Sequence, residues 1–235
     1  MLHDPRKNRI LASLPESVLE TWTPFLEFVD LPLGHVICEQ GSTLSQIYFP
    51  TTCIVSWVHL LESGATTEVS MTGREGLIGL FQIMGTHKTT NRALVQTAGQ
   101  AVRLRLEVLL ESFRQNPLVQ QTIMGFAQAL ITQMAQSSVC RQHHSLEDQL
   151  CRMLLLTLDR QDHLTIYLTQ ELIANLLGVR REGVTLAASR LMKDGLIEYA
   201  RGRITVCDRP ALEARACECY GVVQRAYARL GSPQV

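Results

Sequence analysis

The sequence lacks several features that would assign it to a familiar class of protein. Its 22 basic and 22 acidic residues leave no net charge, so total charge argues neither for nor against a nucleic-acid partner. No stretch approaches the roughly 18 consecutive apolar residues that a membrane span requires. Residues 1–20 lack the apolar segment of a secretory signal. From these absences we expect a soluble, cytoplasmic protein with no membrane partner.

Catalytic and metal-binding motifs are also absent. The sequence has no glycine-rich phosphate loop, nucleophile elbow or group of metal ligands at a workable spacing, so we expect neither an enzyme nor a metal site. The seven cysteines are odd in number and scattered, which does not fit a disulfide framework. Cys217 and Cys219 are closer than the usual zinc pair, and we interpret them as small hydrophobic residues on one helix. His143 and His144 are interpreted as a polar hinge.

What the sequence does contain is a change of pattern along the chain. Apolar residues at helical spacing predict a helix from Ser13 to about Val29. Over residues 31–79, short β-branched and aromatic runs are broken by glycines, which predicts an antiparallel sandwich or roll. At least one more strand follows in "ALVQTAGQAVRLRLEVLL" before the next helix. Farther along, a capping-box-like pattern predicts that another helix starts at Ser145, and one more helix is predicted from Asp208 onward. A composition that is 46% hydrophobic is sufficient for a substantial core.

A long helix is predicted after Asn116-Pro117, because asparagine is a good N-cap and proline suits the first turn. Its apolar stripe extends over roughly 25 residues, longer than an average globular helix. Such a helix can pack on its own roll, pair with a second copy, or do both. The small residues at 125, 127 and 129 would let a second helix approach. We assign the dimer contact to Val119, Ile123, Phe126, Leu130 and Met134.

The most informative stretch covers residues 168–206. Thr169 can cap a short helix that ends near Leu177, and Gly178 lies where a tight turn needs positive φ or no side chain. Ala174 lies four residues before this glycine and Val184 six residues after it. Small and apolar residues at these positions let two helices cross closely, as in a helix-turn-helix. Taken alone, this spacing is a weak signal.

The segment that follows strengthens the interpretation. A second helix, starting near residue 179, exposes Arg180, Arg181 and Glu182, and a hairpin with a basic tip follows at residues 200–203. Residues 180–203 contain six basic and three acidic residues, a local excess suited to phosphates. The alternative is a solvated helix face on which these three charged residues form local ion pairs.

Together, "TQELIANLLGVRREGVT" and "LIEYARGRITV" resemble the C-terminal domain of the cyclic-AMP receptor protein and fumarate-nitrate regulator (Crp/Fnr) family, while "LGHVICEQG" and "IYFPTTCIVS" resemble its roll. The resemblance covers roughly residues 12–207. It implies an α+β fold with an N-terminal antiparallel β-roll similar to the cyclic-nucleotide-binding jelly roll. The implied divisions are a sensor roll with an N-terminal helix (1–115), a long dimerisation helix (116–142), and a winged helix-turn-helix with a C-terminal helical extension (143–235).

The resemblance also implies a function, that of a homodimeric transcription regulator on a pseudo-palindromic double-stranded DNA site, contacting RNA polymerase if it activates. The alternative is an effector-binding module whose winged helix mediates protein contacts. Bases would be contacted by Arg181, Glu182 and Thr185, although many members carry a longer polar residue one turn into this helix. Phosphate contacts are implied for Thr169, Gln170 and Arg180, and the position of the wing tip adds Arg201 and Arg203.

The sensor half gives a less complete motif. Family rolls often hold a cyclic nucleotide with a Gly-Glu pair and an arginine beside small hydroxyl residues. Iron–sulfur members use a tight N-terminal cysteine group, whereas no cysteine precedes Cys38, and no spacing supports haem at His35, His59 or His87. We therefore predict no cofactor and keep a cyclic nucleotide or haem as alternatives. The candidate effector pocket consists of Glu75, Gly76, Thr89, Thr90 and Arg92, with no arginine at the family's spacing.

Overall fold

The computed structural model describes residues 4–85 and 88–230, so that His87 lies outside the described residues. The chain divides into two compact units. The first comprises the described parts of 1–57, 71–131 and 226–235, and the second comprises 58–70 and 132–225. The division falls inside the long helix that follows Asn116. None of the described helices has the length and hydropathy needed to cross a membrane.

The N-terminal region of the first unit differs from the single helix predicted there. It contains helices α1 (Arg9–Ser13) and α2 (Glu16–Trp22), a 3-10 turn (Thr23–Phe25) and then a strand, so the predicted helix to Val29 is wrong. Pro15 occupies the N-cap of α2, and Pro24 lies in the 3-10 turn. Proline disfavours helical backbone in the residue before it, and Leu14 accordingly has extended backbone ahead of Pro15. Pro24 has no amide hydrogen to donate to the preceding turn, which explains the end of α2.

Two antiparallel sheets form the roll, which confirms the fold class inferred for this half. One sheet has the order β1-β7-β3 and the other β2-β6-β4-β5, and helices α3 (Leu80–Ile83) and α4 (Leu106–Gln115) follow β5 and β7. The fully buried side chains include Trp22, Trp57 and Phe49. The strands are β1 (Glu27–Leu31), β2 (Val36–Cys38), β3 (Gln46–Pro50), β4 (Ile54–Leu60), β5 (Thr66–Thr72), β6 (Arg92–Thr97) and β7 (Gly99–Arg105).

Helix α5 (Pro117–His143) begins where the sequence predicts, since Asn116 Oδ1 accepts a hydrogen bond from the amide of Leu118 at 2.9 Å. Its apolar stripe, however, faces the chain itself. The Phe126 ring packs directly over Gly76, so close that a Cβ on that glycine would lie 2.2 Å from the ring. The side chains of Val119, Ile123, Phe126 and Leu130 are at most 1% exposed, and Met134 is half-buried.

This burial corrects the assignment of the stripe to a dimer contact. Val119, Ile123, Phe126 and Leu130 are instead part of the hydrophobic core of the first unit. The small residues are likewise occupied, since Ala127 and Ala129 are buried and Gly125 faces Leu230 of the same chain. The large apolar side chains that α5 leaves exposed are Leu118, Met124, Ile131 and Val139.

The second unit is built around α6 (Leu146–Leu158), which is almost wholly buried. The predicted start at Ser145 is confirmed as a full capping box with Asp148. A three-stranded antiparallel sheet has the order β8-β10-β9, and the three-residue strand β8 was too short to be recognised in the sequence. The other elements are β8 (Thr165–Tyr167), α7 (Gln170–Leu177), α8 (Arg181–Lys193), β9 (Ile197–Ala200), β10 (Arg203–Val206), α9 (Arg209–Arg215) and α10 (Glu218–Ala228).

The C-terminal extension is interrupted, although the sequence predicted one helix from Asp208. The cap at Asp208 is present, with its carboxylate accepting from the amide of Ala211 at 2.9 Å. At Ala216 the backbone becomes extended, with ψ 149°, and α9 ends. Cys217 therefore lies before α10 and Cys219 lies inside it, so the two cysteines do not share one helix.

Candidate nucleic-acid interface

The turn between α7 and α8 has the geometry that its spacing predicts. Gly178 adopts left-handed backbone with φ 70°, and the amide of Val179 bonds the carbonyl of Ala174 at 3.0 Å. A Cβ on Gly178 would lie 2.6 Å from Thr67 Oγ1, so the position favours glycine for space as well as for conformation. Ala174 and Val184 are both buried where the helices cross.

Helix α8 has a buried apolar face and an exposed charged face. Val184, Ala187, Ala188 and Leu191 are buried on the inner face. Arg180, at the N-cap, and Arg181 and Glu182, in the first turn, are exposed on the outer face. Within residues 4–85 and 88–230 neither arginine forms an ion pair with a carboxylate. The alternative of locally paired charges is therefore not what the structure shows.

Two hydroxyl residues organise the start of the motif. The Thr185 hydroxyl lies 2.9 Å from Gln170 Oε1 and 3.1 Å from the Arg181 carbonyl, and both of these oxygens are acceptors. This contact holds the side-chain amide of Gln170 between the two helices. It also uses the one proton that the Thr185 hydroxyl can donate. Thr169 Oγ1 accepts from the amide of Leu172 at 3.1 Å, which leaves the Thr169 hydroxyl proton free to donate elsewhere.

The hairpin has a two-residue tip. Ala200 pairs with Arg203, and both residues between them have positive φ, 51° at Arg201 and 76° at Gly202. This is the pattern of a type I′ turn. Arg201 is the one non-glycine residue with positive φ in the described part of the chain, a conformation that costs an L-residue about 1–2 kcal/mol. The turn holds Arg201 and Arg203 in solvent at the tip.

A concave surface between the hairpin and the two helices encloses a volume of about 490 Å³. Tyr199, which no sequence pattern singles out, donates from its hydroxyl to the Leu168 carbonyl at 2.7 Å. Burial raises the pKa of Tyr199 to about 12, so the phenol stays protonated and keeps this bond. This hydrogen bond and the position of Tyr199 in the concave surface show that its side chain faces the motif. The surface is lined by Thr169, Gln170, Glu171, Arg181, Tyr199, Arg201 and Gly202.

A second residue missed in the sequence is Leu186, which is 64% exposed on the outer face of α8. The sequence does indicate this exposure, because Leu186 does not fall at the helical spacing of the buried positions Val184, Ala187 and Leu191. An exposed apolar side chain at this place suits contact with a thymine methyl group. Ser189, one turn further, donates its hydroxyl to the Thr185 carbonyl at 2.8 Å.

The arginine considered for the effector pocket is already paired. Arg92 donates from Nε and Nη2 to the two carboxylate oxygens of Glu39, at 2.7 and 2.8 Å. The hydrogen bond from Arg92 is the main reason that the pKa of Glu39 is lowered. A bidentate pair of this kind satisfies the geometry with which arginine would otherwise bind a phosphate.

The other residues of that pocket also have internal partners. The Thr89 hydroxyl donates to the Glu39 carbonyl at 2.7 Å, and Thr90 Oγ1 accepts from Asn91 Nδ2 at 3.2 Å. Glu75 is buried and accepts from the amide of Gly73 at 3.0 Å, while Gly76 lies under the Phe126 ring described above. The structure thus uses these residues to hold its own loops and does not present them as an open phosphate site.

Comparison with known proteins agrees with the geometry of the second unit. The family model of the Crp-like helix-turn-helix domain matches residues 148–215. No curated protein matches the chain significantly.

Solved structures share the fold over most of the chain. A Crp/Fnr-family protein from Eubacterium rectale has a TM-score of 0.68 at 16% identity, covering 94% of this chain and 99% of its own. FixK2 from Bradyrhizobium japonicum has a TM-score of 0.68 at 15% identity, covering 82% and 98%. The c-di-GMP-responsive global regulator CLP from Xanthomonas campestris has a TM-score of 0.67 at 13% identity, covering 82% and 99%. The chain therefore has the fold of the Crp/Fnr transcriptional regulators, and its residues 148–215 form a Crp-like helix-turn-helix domain.

Proposed function

We propose that this protein is a sequence-specific transcription regulator that inserts α8 into the major groove of DNA. The observation that carries the proposal is the placement of arginines at the motif. Arg180, Arg181, Arg201 and Arg203 are exposed and have no carboxylate partner among the described residues, and two of them line one concave surface. Unpaired guanidinium groups gathered at one surface are suited to phosphates and guanine edges.

The roles follow from reach and chemistry. Arg181 donates to guanine O6 and N7, Glu182 accepts from a cytosine amino group, and Leu186 meets a thymine methyl. Thr185 contributes its methyl group, because its hydroxyl proton is committed to Gln170. Phosphate contacts come from Thr169, Gln170, Arg180, Arg201 and Arg203.

The exposed side of α5 supports assembly with a second copy. Leu118, Met124, Ile131 and Val139 are 54%, 42%, 58% and 45% exposed, and successive members are separated by six, seven and eight residues. Apolar residues at a mean spacing near seven form a stripe suited to helix pairing. A two-fold symmetric dimer would place two copies of α8 in major grooves roughly 34 Å apart, on a pseudo-palindromic site. Such a protein acts in the cytoplasm and would contact RNA polymerase if it activates.

We further propose that DNA binding needs no cyclic nucleotide. CLP from Xanthomonas campestris is described as responsive to c-di-GMP. In this chain Arg92 is held by Glu39, and Thr89 by backbone carbonyls. A cyclic nucleotide would first have to break these bonds, which opposes binding at this place.

Selection of bound duplexes from a random pool tests the proposal. Purified protein without added effector is expected to enrich a two-fold symmetric sequence, because the interface is exposed and its arginines are unpaired. Binding to the enriched site should weaken steeply with salt as counterions are released. Failure to enrich any sequence, with or without cyclic nucleotides, would contradict the proposal and favour a module for protein contacts.

A substitution at the wing tip separates function from stability. In Arg201→Gly, DNA affinity is expected to fall on specific and random duplexes alike. The slope of log affinity against log salt should decrease by about 2 for the dimer, because each subunit loses one phosphate contact. Stability should change by less than about 1 kcal/mol, because glycine relieves the positive-φ strain but adds freedom to the unfolded chain. Filter binding at several salt concentrations and urea unfolding measure the two effects. A loss confined to one sequence would instead assign Arg201 to a base.

A further inference from the structure

Four side chains with metal-binding atoms meet at the end of α5. Cys140 lies in the last turn of α5, and His144 follows four residues later on the same face, with its amide bonded to the Cys140 carbonyl at 3.0 Å. Cys217 lies directly before α10, and Cys219 lies in its first turn. One ligand atom from each of these residues lies within 4.8 Å of all the others. The cluster belongs entirely to the second unit.

The distances within the cluster suit a single tetrahedral ion. Cys140 Sγ lies 3.6 Å from Cys217 Sγ, and Cys219 Sγ lies 3.6 Å from His144 Nδ1. With zinc–sulfur bonds of about 2.3 Å and zinc–nitrogen bonds of about 2.0 Å, tetrahedral geometry requires sulfur–sulfur separations of about 3.8 Å and sulfur–nitrogen separations of about 3.5 Å. A cluster of several irons would need ligands spaced across an inorganic core, whereas these four atoms converge on one point.

The break before α10 makes the short cysteine spacing workable. On a helix, side chains two residues apart point to nearly opposite sides. Because Cys217 lies in the extended segment before α10, its sulfur is free of this constraint and approaches Cys140. The usual spacing of zinc cysteines is therefore not required here.

A buried charge gives an independent indication that an anionic centre belongs at this place. Arg152 is 7% exposed, and its Nη2 donates to Ser137 at 3.2 Å. Its Nε and Nη1 are buried without a hydrogen-bond partner. Burial raises the pKa of Cys140 to about 12, and the nearby Arg152 charge opposes the rise. An unpaired buried guanidinium is costly unless a negative charge offsets it.

A metal–thiolate centre would supply that charge. Three thiolates, one neutral histidine and one divalent cation carry a net charge of −1, which the guanidinium of Arg152 neutralises. The second ring nitrogen of His144 also has a suitable partner, since Nε2 lies 3.4 Å from a carboxylate oxygen of Glu218. A carboxylate on the distal nitrogen is the arrangement that orients histidine ligands at zinc sites.

We propose that Cys140, His144, Cys217 and Cys219 bind one zinc ion in a closed, structural site. Cys140 and Cys219 are fully buried and all four positions are protein ligands, so no coordination position remains for a substrate. The ion fastens the C-terminal extension to the end of α5. The Crp-like match ends at residue 215, just before the two C-terminal cysteines, so the site is an addition to the matched domain.

Metal analysis of the full chain tests this proposal without any DNA. The protein is prepared under argon with a reductant and without a polyhistidine tag. Inductively coupled plasma mass spectrometry is expected to find one zinc per chain. Cys217→Ser should lower zinc affinity at least tenfold, whereas Cys207→Ser should retain it, because Cys207 is exposed and lies outside the cluster. Cobalt substitution should give the visible bands of a tetrahedral thiolate site in the wild type and in Cys207→Ser, but not in Cys217→Ser.

The melting temperature is a second readout, and it does not require that a variant of the zinc ligands folds. A zinc chelator is expected to lower the melting temperature of the wild type and of Cys207→Ser, because bound metal contributes to the stability of the folded chain. Failure to bind zinc when zinc is added, with all seven cysteines still free, would overturn the proposal. So would iron with labile sulfide, or a disulfide between Cys140 and Cys217 in protein kept under reductant. Equal zinc loss in Cys207→Ser would overturn its location.

Discussion

Arg181→Ala is expected to weaken binding to the selected DNA site by about 1–3 kcal/mol, a loss of roughly 5- to 150-fold. The side chain is exposed in the first turn of α8, lines the concave surface beside the wing, and has no carboxylate partner in the described part of the chain. Two N–H groups on one edge of its guanidinium can therefore donate to O6 and N7 of one guanine. Base choice at that position should relax in a repeated selection, while affinity for random duplex changes little.

The same substitution should not destabilise the protein. A positive charge in the first turn of a helix opposes the helix dipole, so its removal leaves stability unchanged or slightly raised. Lys193→Ala is the matched control, since Lys193 is an exposed cation at the other end of α8. That variant should bind the selected site with nearly wild-type specificity. Equal losses on specific and random DNA in Arg181→Ala would show that Arg181 contacts only phosphates.

Phe126→Ala is expected to lower the free energy of unfolding by about 3–5 kcal/mol. The ring is fully buried, covers Gly76, and lies with its centroid 6.5 Å from that of Tyr227. Truncation leaves a cavity that these neighbours cannot fill without moving the roll. Urea unfolding monitored by circular dichroism measures the loss, which should not depend on protein concentration because the ring belongs to the core of one chain.

Ile131→Ala provides the comparison on the same helix. Ile131 is 58% exposed, so its truncation should change unfolding of the isolated chain by less than about 0.5 kcal/mol. If the exposed stripe pairs with a second copy, Ile131→Ala should instead raise the dimer dissociation constant in sedimentation experiments. A large, concentration-dependent loss in Phe126→Ala, with no effect in Ile131→Ala, would return the dimer contact to the buried stripe.

Local signals in the sequence predicted local structure well. The caps at Asn116, Ser145, Thr169 and Asp208 all form, because a capping side chain bonds an amide only two or three residues away. The glycine at 178 and the wing tip at 201–202 also form as predicted, since a turn depends on the φ values of one or two residues. The main local errors were the two broken helices, ended by Pro24 and by the extended backbone at Ala216.

Pairings across the chain could not be predicted in this way. Arg92 and Glu39 lie 53 residues apart, and Cys140 and Cys217 lie 77 residues apart. No periodicity connects such positions, because their proximity follows from how sheets and helices pack. The same reason explains the apolar stripe of α5, where Phe126 and Ile131 are equally hydrophobic and only packing decides which one is buried.

The sequence by itself thus determined the elements of the DNA-binding domain, namely the crossing helices, the left-handed glycine and the basic wing. Their signals are carried by neighbouring residues, and chain connectivity keeps those residues together. Only the tertiary structure decided which face of α5 belongs to the core and that Arg92 is paired with Glu39. It also brought Cys217, before α10, and Cys219, inside α10, close to Cys140 and His144. These outcomes depend on how segments that are far apart in the sequence pack to bury apolar surface, so no single segment determines them.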